Sequence, residues 1–401
     1  MIKSLGILLT KTQKNILRFL LATTFCYMWA NYSIYYIKNM EVYMMLASIF
    51  ILLTIGRSMM DLKEAIKLRP LYFVAFIIYF VITFFIHGEQ PSVGVISALL
   101  MGCLMLSLKR IFKIWLYERF ITILAYLLGI SIIEFLLATL FGISYINGTP
   151  IYRFEKDAHF FFQGIINIFP GSYQTGYARF QAFTEEPGLV GTLCAFLLAC
   201  IDIEKNKWQT FVFIISGILS MSLAFYLMFV LWIIYIMVSI KNIKIKILLI
   251  FFLGGISFFI QDVATELIGG RLNNKTSIVD LDNRGTYTFK KEFNEYIVTT
   301  DAILGRGLRT FHSTFTATNF ESGGNAGAKP FIYSYGLFSM ILLFIFYNRC
   351  FLKVNGATPK AFFILFIFWI SFYQREYWYT PYNIVPLFMY GIYNQYIQSV
   401  K

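Results

Sequence analysis

Long apolar segments alternate with short polar ones along almost the whole chain. A transmembrane helix needs about 20 apolar residues, because each residue rises about 1.5 Å and the hydrocarbon layer is about 30 Å thick. Runs close to this length predict spans at 16–37, 42–56, 70–87, 92–108, 120–143, 187–203, 208–220, 222–240, 244–261, 331–349, 360–374 and 381–397. The pattern therefore predicts an all-α polytopic membrane protein, one integral membrane domain over 1–401, with about twelve transmembrane helices.

The segment 208–240 decides the topology. It has 33 residues without a charge, about 50 Å of helix, which is too long for one span and slightly short for two. The serine-rich run 216–222 offers a place to turn. With two helices there, 21 of the 34 basic residues fall in cytoplasmic segments or the adjoining helix ends, and the short outer loops contain only Lys38 and Arg375. The positive-inside rule then puts both termini in the cytoplasm.

Two large loops remain on the outer side, 144–186 and 262–330. Loops longer than about 15 residues are usually functional or disordered, and these two contain aromatic and amphipathic stretches, so we expect them to be folded. Aromatic residues at helical spacing predict a helix over 286–299 on the outer face. The apolar run 160–169 is too short to span, which favours an interfacial or re-entrant segment.

Composition agrees with a lipid environment. The chain is 58% hydrophobic and 14% charged, whereas soluble proteins have about 25% charged residues. The net charge of +13 lies in small clusters between apolar segments, which is a topology signal and argues against nucleic acid as a partner. The five cysteines avoid the large loops and no Cys/His cluster has metal-ligand spacing, so we expect no disulfide, metal or cofactor.

Arginine is concentrated outside, against the positive-inside trend. Seven of the thirteen arginines lie there: Arg153, Arg179, Arg271, Arg284, Arg306, Arg309 and Arg375. The planar guanidinium suits phosphate, so the set favours an anionic ligand, such as a lipid-linked pyrophosphate. The alternative is that these are solvated loop charges balanced by neighbouring acids.

Two acidic residues are candidates for either proton transfer or a structural role. Glu186 directly precedes Pro187 at the start of a span, where a carboxylate either caps the helix or accepts a proton from a sugar hydroxyl. Glu134 lies well inside a span and is a functional candidate by default, but a structural role is equally open and we leave it out of the catalytic set.

Two glycine-containing turns lie in the second large loop. Asp282-Asn283-Arg284-Gly285 precedes the amphipathic helix, and Leu304-Gly305-Arg306-Gly307 follows it. Such turns can expose backbone N–H groups to an anion.

The order of these motifs along the chain resembles that of a known protein family. The chain first presents Arg179 and Glu186-Pro187, and a helix hairpin follows. Next comes a large outer loop that contains Arg284-Gly285 and Leu304-Gly305-Arg306-Gly307. The span after this loop opens with Tyr335-Gly336-Leu337. This layout resembles the bacterial O-antigen polymerase family (Wzy-type), within the wider group that includes the O-antigen ligases. The resemblance covers the membrane layout of nearly the whole chain, but its residue matches are confined to roughly 179–191, 282–310 and 333–338.

The resemblance implies a reaction at the periplasmic face of the bacterial inner membrane. Such enzymes transfer a growing glycan from undecaprenyl pyrophosphate to the terminal sugar hydroxyl of another lipid-linked repeat unit. By analogy, Arg179 and Arg284 would contact pyrophosphate or sugar, with Arg306 and Arg309 as helpers, because positioned arginines can neutralise the leaving charge. The family also implies membrane lipid and a separate chain-length regulator as partners.

Three residues are candidates for activating the acceptor hydroxyl: Glu186 first, then Glu185, then His312. Ligases of the wider group typically have a histidine shortly before the span after the large loop, and 324–330 has none. Many relatives also have Ser-Arg in the hairpin where this chain has Ser222-Leu223. The alternatives are a ligase, a lipid-linked oligosaccharide flippase and an inert scaffold. Transporters are often built from internal repeats, and the sequence shows none, which argues against a flippase.

The topology makes a direct prediction. Fusions of a reporter that is active only outside the cytoplasm, made after residues 160, 221 and 300, should all be active, and a fusion after residue 206 should be inactive. An inactive fusion after 221 would mean that 208–240 is a single span.

Overall fold

The computed structural model describes residues 9–28, 40–141, 147–152, 160–170, 179–184, 186–239, 287–315, 327–375 and 378–400. The helices are α1 Lys11–Met28, α2 Met40–Thr54, α3 Leu62–Lys67, α4 Arg69–Phe76, α5 Val93–Leu106, α6 Arg110–Phe141, α7 Pro187–Cys200, α8 Lys207–Leu219, α9 Leu223–Ser239, α10 Tyr287–Tyr296, α11 Leu308–Phe315, α12 Ala328–Asn355, α13 Pro359–Gln374 and α14 Pro381–Val400. Short 3₁₀ segments follow α2 at Ile55–Met59 and α10 at Thr300–Ile303, and a π-helix at Ile77–Ile86 continues α4.

Helices lie on every predicted span except 244–261, which is outside the described residues. The largest difference is α6, which begins at Arg110 rather than at 120. The split of 208–240 is confirmed: α8 and α9 are joined by a turn in which Met221 has φ of 48°. The predicted helix over 286–299 is α10, which ends at Tyr296.

The outer surface of the bundle is apolar. Within the described residues, four helical segments are long and apolar enough to cross a membrane: Val42–Met59, Arg69–Ile86, Arg110–Phe141 and Ala328–Asn355. Large apolar side chains point outward, with Phe50 68% exposed and Leu140 70% exposed. Soluble proteins rarely leave so much apolar surface uncovered, so the chain is a helical, membrane-embedded protein. That each of the twelve segments crosses a membrane, and in which direction, stays a prediction.

Helix α14 lies at the centre of the bundle and contacts α1, α5, α6, α7 and α12. A buried amide from α12 ties it in place: Asn355 Oδ1 accepts from Gly391 N–H at 2.9 Å, and its Nδ2 donates to Leu387 C=O at 3.4 Å. Gly391 permits this approach, because an added Cβ would lie 2.9 Å from the Asn355 Cβ. In an apolar surrounding such pairing is needed, since a buried polar group without a partner is costly.

The fold is not purely α-helical. A three-stranded antiparallel sheet in the first large loop comprises β1 Asn147–Tyr152, β2 Phe160–Gln163 and β3 Ile168–Pro170. The apolar run 160–169 therefore forms a hairpin rather than a helix, and Ile168 and Phe169 at its end are buried. Phenylalanine and isoleucine favour strands, so the run is compatible with this outcome.

Glu134 holds this hairpin on the helical bundle. Its buried carboxylate accepts from three successive backbone N–H groups at the hairpin turn, Ile165 at 2.5 Å and Ile166 and Asn167 at 3.0 Å each. Asn167 returns a bond from its side chain to Ser131 C=O at 2.7 Å. The acid within a predicted span thus anchors an outer loop, which is the structural interpretation left open above.

Glu134→Gln should loosen the hairpin, because an amide presents N–H to a cluster of N–H donors. Leaving those buried donors without an acceptor costs roughly 1–3 kcal/mol. We expect a lower unfolding temperature in detergent and faster proteolysis within 147–170. Glu118→Gln, about 24 Å away along the same helix, is the control; equal effects of both changes would contradict the anchor.

Candidate functional site

The first cluster at the predicted outer face joins two helix ends. Glu186 lies at the N-cap position of α7 with an extended backbone, φ −147° and ψ 144°, and its side chain makes no capping hydrogen bond. Instead its Oε2 pairs with Nη2 of Arg375, the residue that ends α13. Glu186 therefore occupies the predicted N-cap position without a capping hydrogen bond, and its carboxylate is half of an ion pair between α7 and α13.

The exposure of the two side chains is unequal. Arg375 is 6% exposed and Glu186 is 41% exposed. The negative charge lies at a helix N-terminus and the positive charge at a helix C-terminus, so each is also favoured by its helix dipole. The carboxylate of Glu186 is therefore partly exposed, while the guanidinium that holds it is buried.

Arg179 lies at the α8–α9 turn. Its guanidinium donates to Ser220 C=O at 3.2 Å and to Met221 C=O at 3.0 Å, and the adjacent Phe180 N–H donates to Leu219 C=O at 3.0 Å. These carbonyls end α8 and lack partners within the helix, so a cation there is favourable. Arg179 therefore has a structural task that its sequence motif does not reveal.

The turn bound by Arg179 packs on the start of α7. A Cβ on Gly191 would lie 2.6 Å from Ser220 Oγ and 2.5 Å from Ser222 Cβ, so only glycine fits. Gly191 follows Glu186 by five residues, about 7.5 Å along the helix. Arg179, the turn and the Glu186–Arg375 pair thus share one end of the bundle.

The second cluster surrounds Arg306. The guanidinium bonds Asp301 at 3.2 Å and Glu292 at 3.3 Å, and it lies over the rings of Tyr296 and Tyr333 at 5.2 Å and 5.8 Å. The hydrogen bond with Tyr333 raises the pKa of Arg306 by more than burial lowers it, and Asp301 adds to the rise. Burial raises the pKa of Tyr296 to about 12. Arg306 stays charged and Tyr296 neutral at physiological pH, so a single cation is shared by two carboxylate side chains.

The glycine turn next to Arg306 binds an anion, but the anion comes from the chain itself. Glu89, in the loop between α4 and α5, accepts from Leu308 N–H and Arg309 N–H at 2.9 Å each, at the start of α11. Gly307 has φ of 91° and lies directly against Glu89, so no larger residue fits. The sequence predicted an anion-binding turn here without identifying Glu89 as its occupant.

A broken helix connects the two clusters. Helix α12 is interrupted at Gly336, φ 83° and ψ 165°, and the half-helix before the break packs on both sides. On one side Tyr333 C=O accepts from Arg306 N–H at 2.8 Å. On the other side Gly327 abuts the backbone of Tyr373 near Arg375. The two clusters therefore form one assembly at the predicted outer face.

The remaining predicted residues are placed as follows. Arg309 and His312 are exposed on α11, with the His312 ring 5.5 Å from Phe311. Arg284 and Glu185 lie outside the described residues. The sequence interpretation missed Arg375 as the partner of Glu186, and it missed Glu89, Glu292 and Tyr333. For the two glutamates, the available signal was a carboxylate near a predicted outer turn. Within the described ranges no three His, Cys, Asp or Glu side chains gather as a metal site requires.

Comparisons with protein-family models, curated proteins and solved structures find no match to this chain.

Gly336→Ala should destabilise the assembly. An added Cβ would overlap Ile303 C=O, and a non-glycine residue at positive φ is itself strained by about 1–2 kcal/mol. Gly356→Ala is the matched control, since Gly356 has φ of 80° but no atom within 4 Å of an added Cβ. We expect a clearly larger drop in unfolding temperature and faster proteolysis of 287–315 for Gly336→Ala; equal effects would mean that strain alone matters there.

Proposed function

We propose that this protein is a membrane glycosyltransferase that joins lipid-pyrophosphate-linked glycan repeat units, as an O-antigen polymerase does. The observation that carries the proposal is the Glu186–Arg375 pair: a half-exposed carboxylate fixed on a buried guanidinium at the predicted outer membrane surface. The motif order of the chain supports the same reaction class.

Glu186 is the proposed base. The acceptor hydroxyl gives its proton to the exposed side of the carboxylate, and the hydroxyl oxygen forms a bond to the anomeric carbon of the donor sugar. The bond from that carbon to the pyrophosphate oxygen breaks, and its electron pair leaves with the pyrophosphate. Arg375 positions Glu186, because its Nη2 donates to Oε2 of the carboxylate. General-base catalysis of this kind contributes about 10²–10⁴ in rate.

The arginines divide between structure and substrate. Arg179 binds the hairpin carbonyls and Arg306 binds two acids, so we assign both to holding the site in shape. Arg309 is exposed on α11 beside this assembly and is the described arginine best suited to contact pyrophosphate. Arg284 keeps the role that its motif implies.

Glu186→Gln should remove chain extension while leaving the protein in the membrane. Cells carrying it should accumulate lipid A core with a single repeat unit, without the ladder of longer chains. In a reconstituted reaction with the lipid-linked repeat unit, the rate should fall by about 10²–10⁴.

The control is Glu295→Gln on α10, an exposed acid outside the cluster, which should keep a normal ladder. A normal ladder from Glu186→Gln would contradict the assignment of the base. Core with no repeat unit at all would favour a ligase or a flippase over a polymerase.

A further inference from the structure

The segment 179–184, which leads towards the start of α7, has an uncommon backbone. Among the residues that the structure describes, the non-glycine residues with positive φ are Ala182 at 50° and Met221 at 48°. This conformation is unfavourable for a residue with a Cβ, so it persists only where the surrounding contacts fix it. The two residues belong to neighbouring turns, because Met221 C=O accepts from the guanidinium of Arg179 at 3.0 Å. The strain is thus concentrated a few residues before Glu186.

Contacts with the bundle and with the β-sheet fix the segment 179–184. The Phe180 side chain is fully buried, and its ring centroid lies 5.4 Å from that of Phe135 on α6. Ala182 C=O accepts from Ile168 N–H at 2.7 Å, which binds the segment to the start of β3. Because the β2–β3 hairpin is itself anchored on α6, the backbone of the segment is held on both sides.

Thr184 connects this fixed segment to Glu186. The side chain of Thr184 is buried, and its hydroxyl lies 2.9 Å from Gln181 C=O and 3.1 Å from Glu186 C=O. A threonine hydroxyl has one hydrogen, so the two carbonyls share it. The hydroxyl therefore joins the segment to the residue that directly precedes α7.

Neither carbonyl depends on this hydroxyl for a donor. Gln181 C=O also accepts from Thr184 N–H at 3.0 Å. Glu186 C=O also accepts from Leu189 N–H at 3.0 Å. Removing the hydroxyl thus leaves both carbonyls with a backbone donor, which limits the effect on stability. What the hydroxyl adds is a restraint on the backbone of Glu186, the residue whose carboxylate pairs with Arg375.

We propose that Thr184 is a positioning residue for the reaction: its hydroxyl fixes the backbone of Glu186, so that the carboxylate meets the acceptor hydroxyl in the geometry that proton transfer needs. This inference rests on the proposed function, in which Glu186 is the base. A displacement of about 1 Å at a reacting group lowers the rate by about 10²-fold. Thr184 is buried and acts through Glu186, so its loss lowers kcat rather than raising KM.

Three variants test the proposal in the reconstituted reaction with the lipid-linked repeat unit. Thr184→Val removes the hydroxyl and keeps the side-chain shape, whereas Thr184→Ser keeps the hydroxyl. Thr192→Val is the matched control, because Thr192 is a buried residue of α7 whose hydroxyl donates to Gly188 C=O at 2.7 Å. We expect Thr184→Val to lower kcat by about 10–100-fold and to change KM by less than about threefold. The serine variant and the control should retain most of the rate.

Two further measurements separate positioning from packing. In a Glu186→Gln background, Thr184→Val should lower the remaining rate by less than about threefold, because the carboxylate that Thr184 positions is already absent. Carbodiimide labelling of carboxylates in detergent, read by peptide mass spectrometry, reports on Glu186 without turnover. Labelling of Glu186 relative to the exposed Glu204 should rise in Thr184→Val and stay unchanged in Thr192→Val. Thr184→Ala replaces the valine variant if that protein does not elute as a single species.

Four results would overturn the proposal. Wild-type kcat and unchanged Glu186 labelling in Thr184→Val, with Glu186→Gln inactive, would contradict the positioning role alone. An equal loss of rate in Thr184→Ser would mean that packing matters and the hydroxyl does not. A full further loss in the Glu186→Gln background would mean a general structural effect. Full activity of Glu186→Gln would contradict the base assigned in the proposed function, and with it the role of Thr184.

Discussion

The carboxylate of Glu134, with its three backbone N–H donors, is the interaction on which the attachment of the β2–β3 hairpin to the helical bundle depends. A hydrocarbon surrounding offers no water to irregular backbone, so non-helical segments persist there only where protein groups bind their amides. Glu134 provides those acceptors for the turn of the β2–β3 hairpin. Glu89 does the same for the start of α11. In the described parts of both large loops, a carboxylate from outside the loop thus binds backbone N–H groups.

The same constraint explains the arginine at the α8–α9 turn. The carbonyls of Ser220 and Met221 end a helix, and a guanidinium with several N–H donors can bind both. The tight contact of Gly191 with this turn then fixes where α7 begins. Because Glu186 lies at the N-cap position directly before α7, the position of the proposed base follows from a backbone requirement several residues away.

The helices could be predicted from the sequence because a membrane span leaves a signal in composition and length. The split at 220–222 and the start of α12 followed from hydropathy and charge alone. The β-hairpin could not be predicted, because a short run of phenylalanine and isoleucine fits either an interfacial helix or a strand. Arg179 was predicted to bind substrate and Glu134 was left open between a structural and a functional role, yet each binds backbone. A sequence pattern does not reveal which backbone groups approach a side chain.

These structural tasks narrow the choice of a reactive group. Glu134 and Glu89 each bind two or more backbone N–H groups, and Glu292 shares Arg306 and the Tyr333 hydroxyl. Glu186 differs, because its partner is a buried side chain and its own side chain is 41% exposed. A base must reach its substrate from a fixed position. Glu186 and Glu292 are both held by an arginine and partly exposed, but the arginine that holds Glu186 is buried, whereas Arg306 is itself 33% exposed. The carboxylate also compensates the guanidinium of Arg375, because a buried charge is costly unless it is paired.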